Sequence, residues 1–500
     1  MRRIGVRFGT LLAVCAVAPL AMSVSPASAT SINCRERIFG AGSSLQKIAQ
    51  REVWITGGRA AFGSTGNLWS TLSLCLQLPG IEYYSSSSGK GMGQWGNNTR
   101  TELLLEELEN KSGTREKIFP TYVGTDAAPE GKTSLGSVVS AELLRMDNAG
   151  GQSTLLGSGV VVVPVAQSAV TVMVSLPAGC TLRVRTAPKV SVLGLYEEWT
   201  HKTNGVRGVE WAKLIEGGEV VNKGTERCGA TSVLRGKVGT TFARSAASGT
   251  TAGFKRFFKA LRSRKPADER AWTEKTETVA KALSASEWPA GTGQEERGLV
   301  GGRSVELEKG SQEAEATYEN ANSIGYADLA DALKAKFPTG TRVVEHTANG
   351  NNYTSFLVEV SNGTFTELPT QYASPETEEG ESNCSGVTYE PLPTAVEGNA
   401  DWSHVVENSQ ERGRSGNYPI CTLTYDLAWH IYDKVRGPLT YKEEQVNAVY
   451  AFLHYIVSER EGQLELGSRH YGKLPASVRR LAESGLAKQP GEAGAAINWL

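Results

Sequence analysis

The 500-residue sequence lacks the patterns that mark several common enzyme classes. It has no C-x-x-C pair, and its six histidines show no H-E-x-x-H or H-x-H spacing, which argues against a zinc site. No G-x-S-x-G nucleophile elbow occurs. The pair Gly89-Lys90 lacks both the upstream Gly and the following Ser or Thr of a P-loop. The sequence therefore gives no support for a zinc enzyme, an α/β-hydrolase or a P-loop nucleotide site.

The chain also has little net charge and few long apolar runs. Its 52 Lys and Arg against 53 Asp and Glu give a formal charge of −1, which becomes −4 without Arg2, Arg3 and Arg7. No basic field is present to attract nucleic acid or an anionic membrane. After residue 29 no window approaches the roughly 20 apolar residues of a membrane helix. Length and a hydrophobic content of 40% are instead typical of a globular protein with two or more domains.

The first 29 residues have the features of a secretory signal peptide. Three arginines precede an apolar segment from residue 11 to about residue 24, and Ala27-Ser28-Ala29 forms an A-x-A cleavage site. We expect an exported protein, in the periplasm or at the cell surface. Cys15 lies in the middle of the apolar segment, a poor context for lipid attachment, so a soluble protein is favoured over a lipid-anchored one.

Six cysteines remain outside this segment, an even number that suits disulfide bonds in an oxidising compartment. Six cysteines allow 15 connectivities. Neighbours in sequence usually lie within one domain, so the favoured pairs are Cys34–Cys75, Cys180–Cys228 and Cys384–Cys421.

Three segments share one construction: a short strand, a turn rich in Gly, Ser and Thr, and a helix start. They span residues 37–53, 81–92 and 239–261, and the third carries Arg244 before its turn. A helix N-terminus offers unpaired N–H groups and the positive end of the helix dipole, which suits a phosphate-like anion. Arg244 adds a two-pronged donor. Any one of these segments alone fits an ordinary capped surface helix equally well, but the repetition favours a shared anion site.

The remaining pattern predicts two lobes joined by two β-rich crossings. Residues 119–125 read as a strand that ends on Asp126. The β-branched segments 159–176 and 418–425 bracket one α/β block, as expected of a chain that leaves its first lobe and returns. Other segments predict an amphipathic helix over 98–118, a surface loop over 363–400 and a long helix at about 441–458.

Taken in order, these motifs resemble those of PstS-like phosphate-binding proteins, the extracytoplasmic receptors of phosphate-uptake ABC transporters. The resemblance extends over most of the mature chain. The matching segments are 40–45, Ser88-Gly89, 123–129, Arg244 with Ser248-Gly249-Thr250, 323–326, 400–403, 418–420 and 471–478. Each motif is weak alone, whereas their common order is specific.

The resemblance implies an α/β, two-lobed periplasmic-binding-protein fold of type II, with the ligand in the interlobe cleft and two β-rich hinge crossings. Residues 30–165 and 421–500 would form the first lobe and residues 166–420 the second. It implies a non-enzymatic receptor without cofactor or metal, whose partners are inorganic phosphate and the membrane permease subunits of an ABC transporter. The implied phosphate ligands are Ser44, the Leu45 backbone, Ser88, Asp126, Arg244, Ser248, Gly249 and Thr250.

Two departures from the family pattern stand out. Ala246 occupies the place where the family commonly has an Asp two residues after the Arg, which removes the usual carboxylate partner of Arg244. Added material lies near residues 98–118 and 340–415. Three alternatives stay open: a receptor for another tetrahedral oxyanion, a surface or adhesion protein with the same fold, and a phosphoester hydrolase built on Ser88, Asp126 and Arg244 without a histidine.

Overall fold

The structure is a computed structural model that describes more than half of the chain. The residues described are 33, 36–57, 80–96, 120–126, 128, 160–183, 187–190, 194–195, 198–199, 209–216, 219–222, 236–246, 248–262, 295–339, 342–348, 351–361, 372–396, 402, 405–407, 417–434 and 441–499.

Strands and helices are interspersed along the described residues, with a run of strands from residue 344 to residue 429. The strands are β1 (Ile38–Gly42), β2 (Ile81–Ser85), β3 (Tyr122–Thr125), β4 (Val160–Ser175), β5 (Cys180–Arg183), β6 (Lys189–Val190), β7 (Ile215–Glu216), β8 (Glu219–Asn222), β9 (Thr240–Thr241), β10 (Arg297–Val300), β11 (Arg303–Glu306), β12 (Ser323–Asp328), β13 (Val344–Ala348), β14 (Asn351–Leu357), β15 (Glu359–Ser361), β16 (Tyr372–Ala373), β17 (Tyr389–Glu390), β18 (Val406–Glu407) and β19 (Cys421–Trp429). The helices are α1 (Ala49–Gly57, of π type), α2 (Ser88–Gly96), α3 (Trp211–Leu214), α4 (Gly249–Arg262), α5 (Gly310–Glu319), α6 (Leu329–Lys334), α7 (Glu443–Val457) and α8 (Ala476–Gly485), with 3₁₀ turns at Tyr432–Lys434 and Gly467–Arg469.

The long strand β4 belongs to two groups of strands in one large sheet. Its first part, residues 160–169, pairs with β19, beyond which lie β3, β1 and β2. Its last part, residues 170–175, pairs with β12, which also pairs with β9, and β14 and β13 lie on the other side. The run of β-branched residues in β4 explains its length, because both faces are buried along almost the whole strand.

Parallel pairing brings two of the predicted turns and Asp126 to one edge of the sheet. β1 pairs in parallel with both β2 and β3, so the carboxyl ends of the three strands point the same way. The residues that follow them are Ser43, Ser86 and Asp126. Side chains at the carboxyl ends of neighbouring parallel strands commonly form ligand sites.

Large aromatic side chains fill the core on each side of β4. Trp95 of α2 stacks on Trp429 at the end of β19, with ring centroids 4.0 Å apart. Behind α4, Phe254 stacks on Tyr326 of β12 at 4.6 Å, and Trp199 meets Phe254 edge-on at 5.1 Å. The helical spacing of apolar residues in α4 therefore corresponds to a buried apolar face, as predicted. The long helix predicted near the C-terminus is α7, whose apolar residues are buried throughout.

One of the three predicted disulfides lies wholly within the described residues and is present. Cys384 and Cys421 are bonded, with their Cα atoms 5.9 Å apart. Cys180 is also disulfide-bonded. Its predicted partner Cys228 lies outside the described residues, as do Cys34 and Cys75.

The interpretation of residues 363–400 as a surface loop is wrong for its described part. Cys384, Val387, Tyr389 and Val396 are buried. The disulfide ties this segment to β19, and the Tyr389 hydroxyl donates to Gln167 Oε1 at 2.8 Å, so the segment covers the middle of β4. The helix predicted over 98–118 lies outside the described residues. None of the helices described has the combination of length and apolar character needed to cross a membrane.

Candidate anion-binding site

The carboxylate of Asp126 is the centre of a buried polar cluster. Its side chain is almost fully buried, and three hydroxyl groups donate to it. Ser43 Oγ and Thr424 Oγ1 lie 2.6 and 2.9 Å from Oδ1, and Ser88 Oγ lies 3.3 Å from Oδ2. These donors come from the turn after β1, from β19 and from the first residue of α2. Segments distant in sequence therefore meet at a single acceptor group.

Opposing effects act on the pKa of Asp126. Burial raises the pKa, because a charged carboxylate loses its hydration. The hydrogen bonds from Ser43 and Thr424, the positive charge of Arg244 and the hydrogen bond from Ser88 each lower it. The result is still a raised pKa, so removal of any of these donors shifts the group further towards the neutral acid.

The N-terminus of α4 lies directly against Asp126. A Cβ atom added to Gly249 would lie only 2.5 Å from Asp126 Cβ and 2.7 Å from its Cα, so only glycine allows this approach. Ser248 caps the helix, since its hydroxyl accepts from the Thr251 N–H at 3.4 Å. Ser248 and Thr250 are both buried. The first turn of α4 thus brings N–H groups and the positive end of its dipole to the cluster.

Arg244 is buried beside the same cluster with part of its guanidinium unused. Its Nε donates to the Leu307 carbonyl at 3.2 Å, and its Nη2 donates to the Glu308 carbonyl. Nη1 is buried and has no hydrogen-bond partner among the described residues. A buried guanidinium nitrogen without an acceptor is costly, so this atom marks a position for an anion oxygen or an ordered water.

A further helix N-terminus closes the site from another direction. The N–H of Gly310, the first residue of α5, donates to Ser44 Oγ at 3.3 Å. Leu45, which follows Ser44, is buried, and its carbonyl accepts from the Tyr471 hydroxyl. The loop before α5 therefore contacts Arg244, and the first residue of α5 contacts Ser44, so both predicted ligands meet this segment.

Three more buried carboxyl groups lie in this part of the structure, and the charge of Arg244 acts on two of them, Glu313 and Asp331. Burial raises the pKa of Glu313, in the first turn of α5, to about 8, although the Tyr326 N–H and the charge of Arg244 act in the opposite direction. Asp328 and Asp331 lie close together, and burial together with the charge of Asp331 raises the pKa of Asp328. Within the described part of the chain, no group of three or more His, Cys, Asp and Glu side chains is placed to hold a metal ion.

Comparison with solved structures identifies the fold. The chain is similar to a high affinity periplasmic phosphate-binding protein (PfluDING) bound with phosphate, with a TM-score of 0.51 and 16% identity, covering 92% of this chain and 96% of that one. An ancestral soluble variant of the Human Phosphate Binding Protein gives the same values. The chain has the two-lobed fold of these phosphate-binding proteins. A DING protein is similar with a TM-score of 0.50. No protein-family model matches the sequence, and no curated protein does.

The predicted α/β, two-lobed fold is therefore confirmed. Of the predicted ligands, Ser88, Asp126 and Gly249 lie in direct contact, and Arg244 is near enough for its charge to lower the pKa of Asp126. Ser44 and Leu45 follow Ser43 in the turn after β1, and Ser248 and Thr250 flank Gly249 at the start of α4. The ligand role of all eight residues stays a prediction.

Sequence reasoning missed several residues of the cluster. Ser43 is adjacent to a predicted ligand, and its hydroxyl could have been considered with that of Ser44. Thr424 is one of two threonines in β19, and it reaches Asp126 only because β19 pairs with β3. Gly310 and Glu313 lie in a segment without any motif. Their positions follow from tertiary packing and have no local signal.

Proposed function

We propose that this protein is an extracytoplasmic receptor that captures inorganic phosphate and presents it to the membrane permease subunits of an ABC-type phosphate importer. The observation that carries the proposal is a buried hydrogen-bond donor and a buried hydrogen-bond acceptor in one cluster. Arg244 keeps a buried donor nitrogen that has no partner among the residues described, and Asp126, whose pKa the charge of Arg244 lowers, supplies a buried acceptor. The solved proteins of similar fold are named for binding phosphate, which supports the same ligand.

The chemistry of phosphate suits this pairing. Near neutral pH phosphate still carries a proton, so it can donate to the Asp126 carboxylate while its other oxygens accept from Arg244 and from helix N–H groups. Sulfate has no proton and meets only lone pairs at the carboxylate, which leaves a buried acceptor unsatisfied and places like charges together. Discrimination of about 10⁴-fold is a reasonable order of magnitude for such a site.

Two lobes that close on the anion would explain how the contacts are arranged. In this proposal residues 30–165 and 421–500 form one lobe and residues 166–420 the other, with β4 and β19 as the crossings. The contacts of Gly249 with Asp126 and of Gly310 with Ser44 would then be contacts between lobes. Closure would remove the anion from water and would be reversed on delivery to the permease.

The decisive experiment is isothermal titration of refolded, anion-stripped protein with phosphate, arsenate and sulfate. The wild type should bind phosphate and reject sulfate. Asp126→Asn supplies a donor in nearly the same volume, so phosphate binding should weaken by roughly 10- to 100-fold while sulfate binding improves. Asp433→Asn, which removes an exposed carboxylate, serves as the control for net charge.

Two outcomes would contradict the proposal. A wild-type protein that binds none of the three anions is not a phosphate receptor. An Asp126→Asn variant that still rejects sulfate as strongly as the wild type shows that Asp126 does not discriminate between the anions.

A further inference from the structure

The acceptor role of Asp126 depends on two hydroxyl groups that lie on the side of Oδ1. Ser43 Oγ donates at 2.6 Å and Thr424 Oγ1 at 2.9 Å, both to this one oxygen. Oδ2 has a longer contact, 3.3 Å from Ser88 Oγ. Oδ1 is thus occupied by protein donors, and Oδ2 is the oxygen with room for a ligand proton.

Gln46 fixes the direction of both hydroxyls. Its backbone N–H donates to Ser43 Oγ at 3.3 Å, and its side-chain amide donates to Thr424 Oγ1. A hydroxyl has one proton, so an oxygen that accepts from Gln46 directs its own proton elsewhere. For Ser43 that direction is Asp126 Oδ1. For Thr424 the acceptors in reach are Asp126 Oδ1 at 2.9 Å and the more distant Thr125 carbonyl at 3.2 Å.

The amide of Gln46 is itself held in place. Its Nε2 also donates to the Tyr425 carbonyl at 2.8 Å, and its Oε1 accepts from Gln50 Nε2 at 3.0 Å. The orientation of the amide is therefore set by two neighbours, and the donor character of Thr424 follows from it. The network joins the turn after β1 to β19 through buried polar groups alone.

Other charged and titratable groups also act on Asp126. Arg244, in the segment before α4, lowers the pKa of Asp126. Arg256, on α4, donates to the Asp126 carbonyl at 3.5 Å. The remaining groups whose own pKa values respond to the charge of Asp126 are Asp328, at the end of β12, Asp426, on β19, Tyr83, on β2, and Tyr471. Against burial, however, the two hydroxyls are the strongest of the effects that lower the pKa of Asp126.

We propose that Ser43 and Thr424, oriented by Gln46, are positioning residues that keep the Asp126 carboxylate an acceptor and so set the selection of protonated over unprotonated oxyanions. The proposal rests on the phosphate-receptor function above and adds the residues that control its specificity. Without the two donors, the buried group takes up a proton at higher pH. A neutral carboxylic acid can donate to sulfate, so rejection of sulfate fails.

The test uses Ser43→Ala, Thr424→Val and the double variant. Valine replaces threonine at nearly equal volume and removes only the hydroxyl. Thr354→Val is the matched control, because Thr354 is fully buried on β14 and its hydroxyl has no partner among the described residues. Sulfate keeps the same charge between pH 5 and 8, so the pH dependence of its binding reports on the protein.

We expect sulfate affinity to rise as pH falls, with a midpoint that each single variant shifts upward by about one pH unit, because a hydrogen bond to a charged group changes such an equilibrium by about tenfold or more. The double variant should shift it further. Thr424→Ser, which keeps the hydroxyl, should have the same pH profile as the wild type. The Thr354→Val profile should not move.

The outcomes separate this proposal from the function on which it rests. If the wild type binds no oxyanion, the phosphate-receptor proposal itself is wrong. If the wild type binds phosphate and rejects sulfate, but the Ser43 and Thr424 variants have the same pH profile as Thr354→Val, the positioning role is overturned. Equal weakening of phosphate and sulfate at every pH also overturns it, because that pattern indicates a purely structural role. A Thr424→Ser profile that differs from the wild type in the same way as Thr424→Val would overturn it too.

Discussion

Substitution of Gly249 by alanine tests how closely α4 must approach Asp126. The added Cβ would lie 2.5 to 2.8 Å from three atoms of Asp126, whereas ordinary contacts of this kind are 3.4 to 4 Å. The helix terminus must therefore move away by about 1 Å. Overpacking of this kind costs about 1–3 kcal/mol, and the better helix propensity of alanine returns at most about 1 kcal/mol.

This cost should lower the affinity for phosphate and leave the stability of the ligand-free protein nearly unchanged. If Gly249 and Asp126 belong to different lobes, the clash exists only when the lobes are closed, and opening relieves it. A net cost of about 1–2 kcal/mol weakens phosphate binding by roughly 5- to 30-fold. The thermal stability of the ligand-free protein should change little, because the open state has no clash.

Isothermal titration with phosphate measures the effect, and Gly253→Ala provides the control. Gly253 lies one turn further along α4, and its added Cβ would meet Thr422 at 3.1 Å, a contact that a small shift can relieve. The control should bind within a few-fold of the wild type. If Gly249→Ala binds phosphate as tightly as Gly253→Ala, the close approach of α4 to Asp126 is not part of the bound state.

Four other measurements test the structure and the predicted disulfides. Burial raises the pKa of Glu313 from 4.5 to about 8, so the folded protein favours the protonated side chain. The stability that this protonated group contributes is complete below pH 4.5 and is lost as the pH rises through 8. Glu313→Gln should therefore match the wild type near pH 4.5 and gain up to about 5 kcal/mol relative to it above pH 8, in urea unfolding without ligand; an equal difference at both pH values would refute this. Replacement of both Cys384 and Cys421 by serine should lower the free energy of unfolding by about 4 kcal/mol, since the bridge spans a sequence separation of 37, and a loss below about 1 kcal/mol would count against it. Non-reducing peptide mapping should also find Cys34–Cys75 and Cys180–Cys228. Phosphate should compact the protein in small-angle scattering, and identical curves with and without saturating phosphate would argue against lobe closure.

The strand-turn-helix units could be predicted because their signals are local. The turn of Ser43 and Ser44 follows an apolar strand and precedes an apolar helix face, and the same holds at Ser88 and Ser248. The first two turns follow β1 and β2, which are parallel to each other and aligned with β3, so they meet Asp126 at one edge. The turn at Ser248 follows β9, which pairs with β12. Sequence alone therefore indicated most of the candidate site, together with Asp126 at the end of β3.

The contributions of β19 and α5 had no such signal. Thr424 reaches Asp126 because the register of β19 places Tyr425 opposite Thr125, and register over this distance is set by tertiary packing. The crossing predicted over 418–425 begins as a strand only at Cys421 and continues to Trp429, because its last residues pack in the core as well. Gly310 fits in the site because it has no side chain: an added Cβ would lie 2.6 Å from Asp331 Oδ2.

The place of β19 in the sheet also orders the assembly of the protein in time. β19 lies between β3 and β4, but it is made long after both. Until residues 421–429 emerge, β3 and β4 each present an edge of unpaired backbone groups, and such edges invite pairing with other chains. Pairing over so long a separation is slow to form. The nascent chain is therefore most open to aggregation shortly before β19 emerges, and any chaperone or translocation step that delays collapse until then protects the native sheet.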